Sequence, residues 1–132
     1  MLLEIDHHSG VPIYRQVIEQ IRQQIMTDAL KQADQLETVR DLAARLKVNP
    51  MTISKAYSFL EAQGLLERKR GIGLFVAKVR KGRKDQIRTK LLDNIINKAA
   101  VTAIQLGVPE DQAVEFFKKR YRQYNSTKRS RK

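Results

Sequence analysis

The stretch that decides the fold reads Val48-Asn49-Pro50-Met51-Thr52-Ile53-Ser54-Lys55-Ala56-Tyr57. Asn49 is a favoured helix cap and Pro50 a favoured first helical residue. Ile53, Ala56, Tyr57 and Leu60 then fall on one face, which predicts a helix to about residue 63. Gly64 stands where helices commonly end in a left-handed residue. Upstream, Thr38 and Asp41 form a three-apart pair able to cap a helix over residues 39–46. That helix buries Val39, Leu42, Ala43 and Leu46. Only Lys47-Val48-Asn49 joins the two. Two helices joined by so short a turn form a helix-turn-helix, whose second helix is presented to a major groove about 12 Å wide.

Outward from this pair, Pro12 opens an earlier helix. Its stripe is Tyr14, Val17, Ile18, Ile21 and Ile25, running to about Ala29. Residues 31–37 are polar and irregular around Leu36. After Gly64, residues 65–69 and 74–79 read as short strands. They are joined around Arg70-Gly71-Ile72-Gly73 into a β-hairpin with a glycine-rich tip. Helix, helix, turn, helix, hairpin is the order of a winged helix-turn-helix. Tyr57 and Phe59 read as core or partly buried.

Residues 78–84 are basic, contain Gly82 and look like a linker. Beyond it, Ile87, Leu91, Ile95, Ala99 and Ala103 step at four-residue intervals, widened by Leu92, Ile96, Ala100 and Ile104. This predicts an amphipathic helix over about 84–106. Pro109 starts another, to about 124, with Ala113, Val114, Phe117 and Tyr121 on its apolar side. Two helices cannot enclose such faces alone. They need the first domain or a second copy of the chain. The expected fold is α+β, mostly α. Its parts are a winged domain with a two-stranded wing over 1–78, a linker and two-helix dimerisation region over 79–125, and a disordered basic tail over 126–132. The expected dimer seam comprises Ile87, Leu91, Leu92, Ile95, Ile96, Ala99 and Phe117.

Charge supports a nucleic-acid partner. The 132 residues hold 26 Lys+Arg and 14 Asp+Glu, a net charge of +12. The excess is concentrated. Residues 1–65 are near neutral, residues 66–90 carry +8, residues 91–117 carry −3, and residues 118–132 carry +8. The first basic block surrounds the hairpin, and the second ends Lys128-Arg129-Ser130-Arg131-Lys132. With 42% hydrophobic residues the chain can build a core. No cysteine means no disulfide, thiolate metal site or cysteine nucleophile. No stretch is apolar enough for a membrane helix, and the acidic start is unlike a signal peptide, so a cytoplasmic location is expected.

Exposed positions at the start of the third helix are Asn49, Met51, Thr52, Ser54 and Lys55. They are short polar groups, a methionine able to touch a thymine methyl, and a cation. The hairpin tip adds Arg68, Lys69 and Arg70 beside glycines that let the backbone approach phosphate. Helix N-termini are expected to add free N–H groups. An enzyme is not expected. The two histidines are adjacent, no catalytic triad order is present, and Gly71-Ile72-Gly73 is neither a dinucleotide loop nor a P-loop. Asp6-His7-His8 is a poor metal shell, so neither metal nor cofactor is expected.

From residue 12 to about 79 the sequence resembles the GntR family of bacterial transcriptional regulators. The resemblance rests on Pro12-Ile13-Tyr14-Arg15-Gln16-Val17, Thr38-Val39-Arg40-Asp41-Leu42-Ala43, the recognition stretch, Leu60-Glu61-Ala62-Gln63-Gly64-Leu65-Leu66 and Arg70-Gly71-Ile72-Gly73-Leu74-Phe75-Val76. The short remainder resembles the YtrA subfamily. The resemblance implies a homodimer that binds an inverted repeat in double-stranded DNA and usually represses transcription. It makes Arg40 a DNA contact, Asn49, Pro50, Met51 and Thr52 the start of the recognition helix, and Gly71 the wing-tip glycine. Three positions depart from the family pattern. Glu37 brings a negative charge near the expected phosphate contact. Lys47 replaces the usual turn glycine. Ser54 replaces a common arginine, and so loses a bidentate guanine contact. A small-molecule effector is a further candidate partner, seated where Phe116, Phe117, Tyr121 and the linker would meet. The competing reading is a winged-helix adaptor for another protein, or a non-specific nucleic-acid binder.

Overall fold

The structure, a computed structural model, describes residues 1–130, with side chains through Thr127. Helix α1 spans Ile13–Met26, α2 Val39–Leu46 and α3 Pro50–Ala62. Strands β1 (Leu66–Lys69) and β2 (Gly73–Val76) follow, then α4 (Lys81–Gln105) and α5 (Glu110–Ser130). The expected caps form. Thr38 Oγ1 accepts the Asp41 N–H at 3.1 Å, and Asn49 Oδ1 accepts the Met51 N–H at 2.8 Å. Lys47 ends α2 in the left-handed region, at φ 57° and ψ 49°. A lysine there carries the strain that glycine avoids.

The chain forms two compact units, Met1–Ile87 and the residues from Arg88 onward. In the first, Val17, Ile21, Leu42, Ile53, Leu60 and Leu65 are wholly buried, one stripe facing another. Tyr57 is also buried and its hydroxyl donates to the Glu37 carbonyl at 2.8 Å. Burial pushes its phenol pKa up; the Glu37 carboxylate adds to the rise and Arg45 opposes it. Phe59, by contrast, lies 46% exposed, because it falls off the buried face of α3.

Irregular segments complete this core. Leu3, Leu30 and Leu36 are all buried. Residues 2–6 lie along α1, held by a ladder of glutamines one turn apart. Gln16 exchanges hydrogen bonds with the Asp6 backbone at 2.9 and 2.8 Å, and Gln20 with the Glu4 backbone at 2.9 and 2.6 Å. Gln24 donates to the Leu2 carbonyl at 2.6 Å.

The hairpin is antiparallel, from Leu66 opposite Val76 to Lys69 opposite Gly73. Residues 33–36 line its other edge. The Ala33 N–H donates to the Val76 carbonyl at 2.9 Å, the Val76 N–H to the Asp34 carbonyl at 2.8 Å, and the Leu36 N–H to the Leu74 carbonyl at 2.9 Å. The segment read as irregular therefore backs the wing, because unpaired β2 backbone needs partners.

Several boundaries differ from expectation. Helix α1 stops at Met26, and Asp28 then takes a left-handed φ of 63°. Strand β2 ends at Val76. The linker is shorter than 78–84, since α4 starts at Lys81. Arg83 donates to the Gln63 carbonyl at 2.8 Å and Lys84 pairs with Asp28, so the first turn of α4 is anchored on the winged unit. The units accordingly divide inside α4 rather than after residue 78. Helix α5 continues through Ser130, into the residues expected to form the basic tail. No glycine or proline follows Pro109 to stop it, and Thr127 Oγ1 donates back to the Gln123 carbonyl at 3.0 Å. Arg131 and Lys132, also assigned to that tail, lie outside the described residues.

In the second unit, α4 and α5 are joined through Gly107, whose φ of 71° suits a residue without Cβ. From Arg88 to Thr127 no side chain is buried. Phe117 and Tyr121 contact each other with ring centroids 6.0 Å apart.

Candidate nucleic-acid interface

The outward side of α3 is a shallow surface of mixed chemistry, lined by Tyr14, Met51, Thr52, Ser54, Lys55 and Ser58. Met51 is 77% exposed; Ser54 and Lys55 are exposed and Thr52 half-buried. The Lys55 ammonium sits 3.9 Å from the Tyr14 ring centroid, a cation–π contact that holds it in place. Asn49 and Pro50 are exposed at the helix start. The Asn49 oxygen is committed to the cap, which leaves its amide NH2 free to donate outward.

The expected free N–H groups are missing from the start of α3. Pro50 has no N–H. Those of Met51 and Thr52 donate to the Asn49 side chain and carbonyl. A phosphate at this helix start would therefore have to be held by side chains.

Arg40, exposed in the first turn of α2, has no ion-pair partner among the described residues. The acid suspected of opposing it is engaged elsewhere. Arg45 grips Glu37 with Nη2 at 2.6 Å and Nε at 3.2 Å, and also donates to the Met1 carbonyl at 3.1 Å. Donating to the Glu37 carboxylate raises the Arg45 pKa. The Glu37 charge is thus largely met within the molecule.

The three wing cations differ. Arg68 lies 3.4 Å from the Glu61 carboxylate, an exposed pair that contributes little. The Lys69 ammonium lies over the Phe75 ring at 4.6 Å. Arg70 has neither kind of partner among the described residues. Gly71 beside it takes a φ of 75°.

The residues assigned to a seam form a stripe on α4. Ile87 and Leu91 are half-buried; Leu92, Ile95, Ile96 and Ala99 are exposed, as is Phe117 on α5. Sequence reasoning missed two groups. Tyr14 belongs by spacing to the core stripe, yet it seats Lys55. Gln35 went unremarked, yet its Nε2 donates to the Ile72 carbonyl at 3.2 Å. A polar side chain in a loop gives no signal of so distant a partner.

A helix-turn-helix with an exposed polar face on its second helix, a basic hairpin and an α2 arginine without an ion-pair partner among the described residues defines a winged-helix DNA-binding regulator. Residues 13–76 match the family model for bacterial regulatory proteins of the gntR family. The chain belongs to the GntR family of DNA-binding transcriptional regulators. It is 31% identical to the transcriptional repressor YtrA of Bacillus subtilis over 117 residues, covering 89% of this chain and 90% of that protein. A GntR family regulator from Listeria monocytogenes has a similar structure, with TM-score 0.76 and 30% identity over 87% of this chain and 98% of the other. YtrA from Sulfolobus acidocaldarius superposes with TM-score 0.56 and 31% identity, over 73% of this chain and 99% of that one. No helix among the described residues is long and apolar enough to cross a membrane.

Proposed function

We propose that this protein is a cytoplasmic, sequence-specific repressor that binds an inverted-repeat operator as a homodimer. The observation that carries the reading is the helix-turn-helix itself, whose α3 face exposes polar groups and a Lys55 held over Tyr14, and whose α2 arginine has no ion-pair partner among the described residues. Met51, Thr52, Ser54 and the Asn49 amide read base edges. Arg40, Lys55, Arg68, Lys69 and Arg70 hold phosphates, with Pro50 and Gly71 shaping the backbone. The Bacillus relative is a transcriptional repressor, which supports the sign of regulation.

Homodimerisation is supported by the unit beyond Arg88. Leu92, Ile95, Ile96 and Phe117 are 53%, 64%, 39% and 49% exposed, a large apolar surface for an isolated helix pair. Burying it across a two-fold axis would present two recognition helices to half-sites about one DNA turn apart. Neutralising about six phosphates per dimer gives a slope of log affinity against log salt near −5.

The test is selection of duplexes from a random pool, followed by gel-shift titration. The recovered sites should be inverted repeats, Arg40→Ala should weaken binding to every duplex, and Ser54→Arg should change which duplexes are recovered. A wild-type protein that enriches no sequence at moderate salt would favour the adaptor or non-specific binder instead.

A further inference from the structure

The wing tip carries a residue at odds with its place. Tight turns favour glycine, asparagine, aspartate and serine, whereas β-branched apolar residues belong in strands and cores. Yet Ile72 stands at the tip between Gly71 and Gly73, and it is 65% exposed. Nothing in the folded unit accounts for an isoleucine there. Its neighbours have positive φ values of 75° and 140° and add no side-chain bulk.

The backbone of Ile72 is already satisfied. Its N–H donates to the Lys69 carbonyl at 2.9 Å, and its carbonyl accepts from Gln35 Nε2 at 3.2 Å. The same Gln35 nitrogen lies 3.0 Å from where a Cβ on Gly73 would stand, so the turn is held tightly against this clamp. What the tip offers outward is therefore a side chain. It is a rigidly mounted, branched apolar group, beside the uncommitted guanidinium of Arg70.

Such a pair fits the DNA minor groove. That groove is about 6 Å wide, too narrow for a helix but open to one unadorned turn. Its negative potential attracts an arginine where it is narrow, and apolar side chains such as isoleucine can wedge between base steps and kink the duplex. We propose that Ile72 is an apolar wedge that enters the minor groove beside each half-site and partly unstacks a flexible pyrimidine–purine step, with Arg70 guiding it in. Specificity then includes the deformability of a step that the recognition helix does not touch. This rests on the operator-binding reading above, and it adds a residue and a mode of readout to it.

The test uses the full chain and duplexes recovered by selection. Each duplex carries 2-aminopurine at the flanking pyrimidine–purine step, and an end-labelled pair of dyes reports bending. Wild type should raise the 2-aminopurine fluorescence and shorten the end-to-end distance. Ile72→Ser should lose both signals and roughly tenfold in affinity for the selected duplex, while binding to random duplex and the salt slope stay as in wild type. Ile72→Leu should restore the signals, and replacing the flexible step by a stiff A-tract should weaken wild type but not Ile72→Ser. Should Ile72→Ser bind, bend and brighten the duplex as wild type does, the wedge is overturned and the wing only touches phosphates. If wild type selects no sequence at all, the operator reading falls and the wedge with it.

Discussion

Residues 1–87 and the residues beyond them treat the same kind of sequence pattern in opposite ways. In α1 and α3 the apolar stripe reaches full burial, with Val17, Ile21, Ile53 and Leu60 at 0% exposure. In α4 an equally regular stripe leaves Leu92, Ile95 and Ile104 at 53%, 64% and 79% exposure. Periodicity states that a face seeks burial, without naming what covers it. The winged unit supplies its own cover from three helices, a hairpin and the loops holding Leu3, Leu30 and Leu36. Beyond Arg88 no described side chain is buried, so the stripe of α4 is left uncovered there.

Four substitutions probe that contrast, in falling order of effect. Leu60→Ala empties a site at 0% exposure and should cost about 2–5 kcal/mol, read as a shift in the urea midpoint. Ile95→Asp should leave the winged unit folded while weakening self-association by more than roughly tenfold, since it puts a charge in the proposed apolar seam. Sedimentation velocity across micromolar concentrations reads it; a full-length wild-type chain that is monomeric there contradicts the seam.

The next two variants stay within the winged unit. Thr38→Ala removes the α2 cap and should cost about 1 kcal/mol by the same urea measurement. Lys47→Gly relieves a left-handed lysine and should stabilise by about 0.5–1 kcal/mol, the smallest effect of the four. A loss of stability in Lys47→Gly would mean that the lysine side chain makes a compensating contact.

Much of the winged unit was legible because its determinants are local. Asn49 before Pro50, and Thr38 three residues before Asp41, mark helix starts through bonds made within one turn. The exposed polar face of α3 was legible for the same reason, as the complement of a buried stripe. What escaped depends on distant partners. Gln16, Gln20 and Gln24 look like ordinary surface residues of a helix, yet they bind backbone as far as 22 positions away. Tyr14 belongs by spacing to a core stripe, but its ring faces Lys55 across two helices. The charge of Glu37, adverse by sequence position, is met by Arg45 eight residues on. The helical continuation to Ser130 was hidden by composition, because a run of like charge suggests a solvated tail more strongly than a helix.

By itself, the sequence determined the order of elements, the caps, the exposed polar face of α3 and the concentration of positive charge around the hairpin. These follow from backbone preferences and from periods of two and 3.6 residues, which act over a few positions. Only the tertiary structure decided which charges are already neutralised, which amides tie down the amino-terminal segment, that residues 33–36 back the wing, and that Gln35 clamps a turn offering Ile72 outward. Those outcomes depend on contacts between residues far apart in the chain, which are set when the core closes and every buried polar group must find a partner.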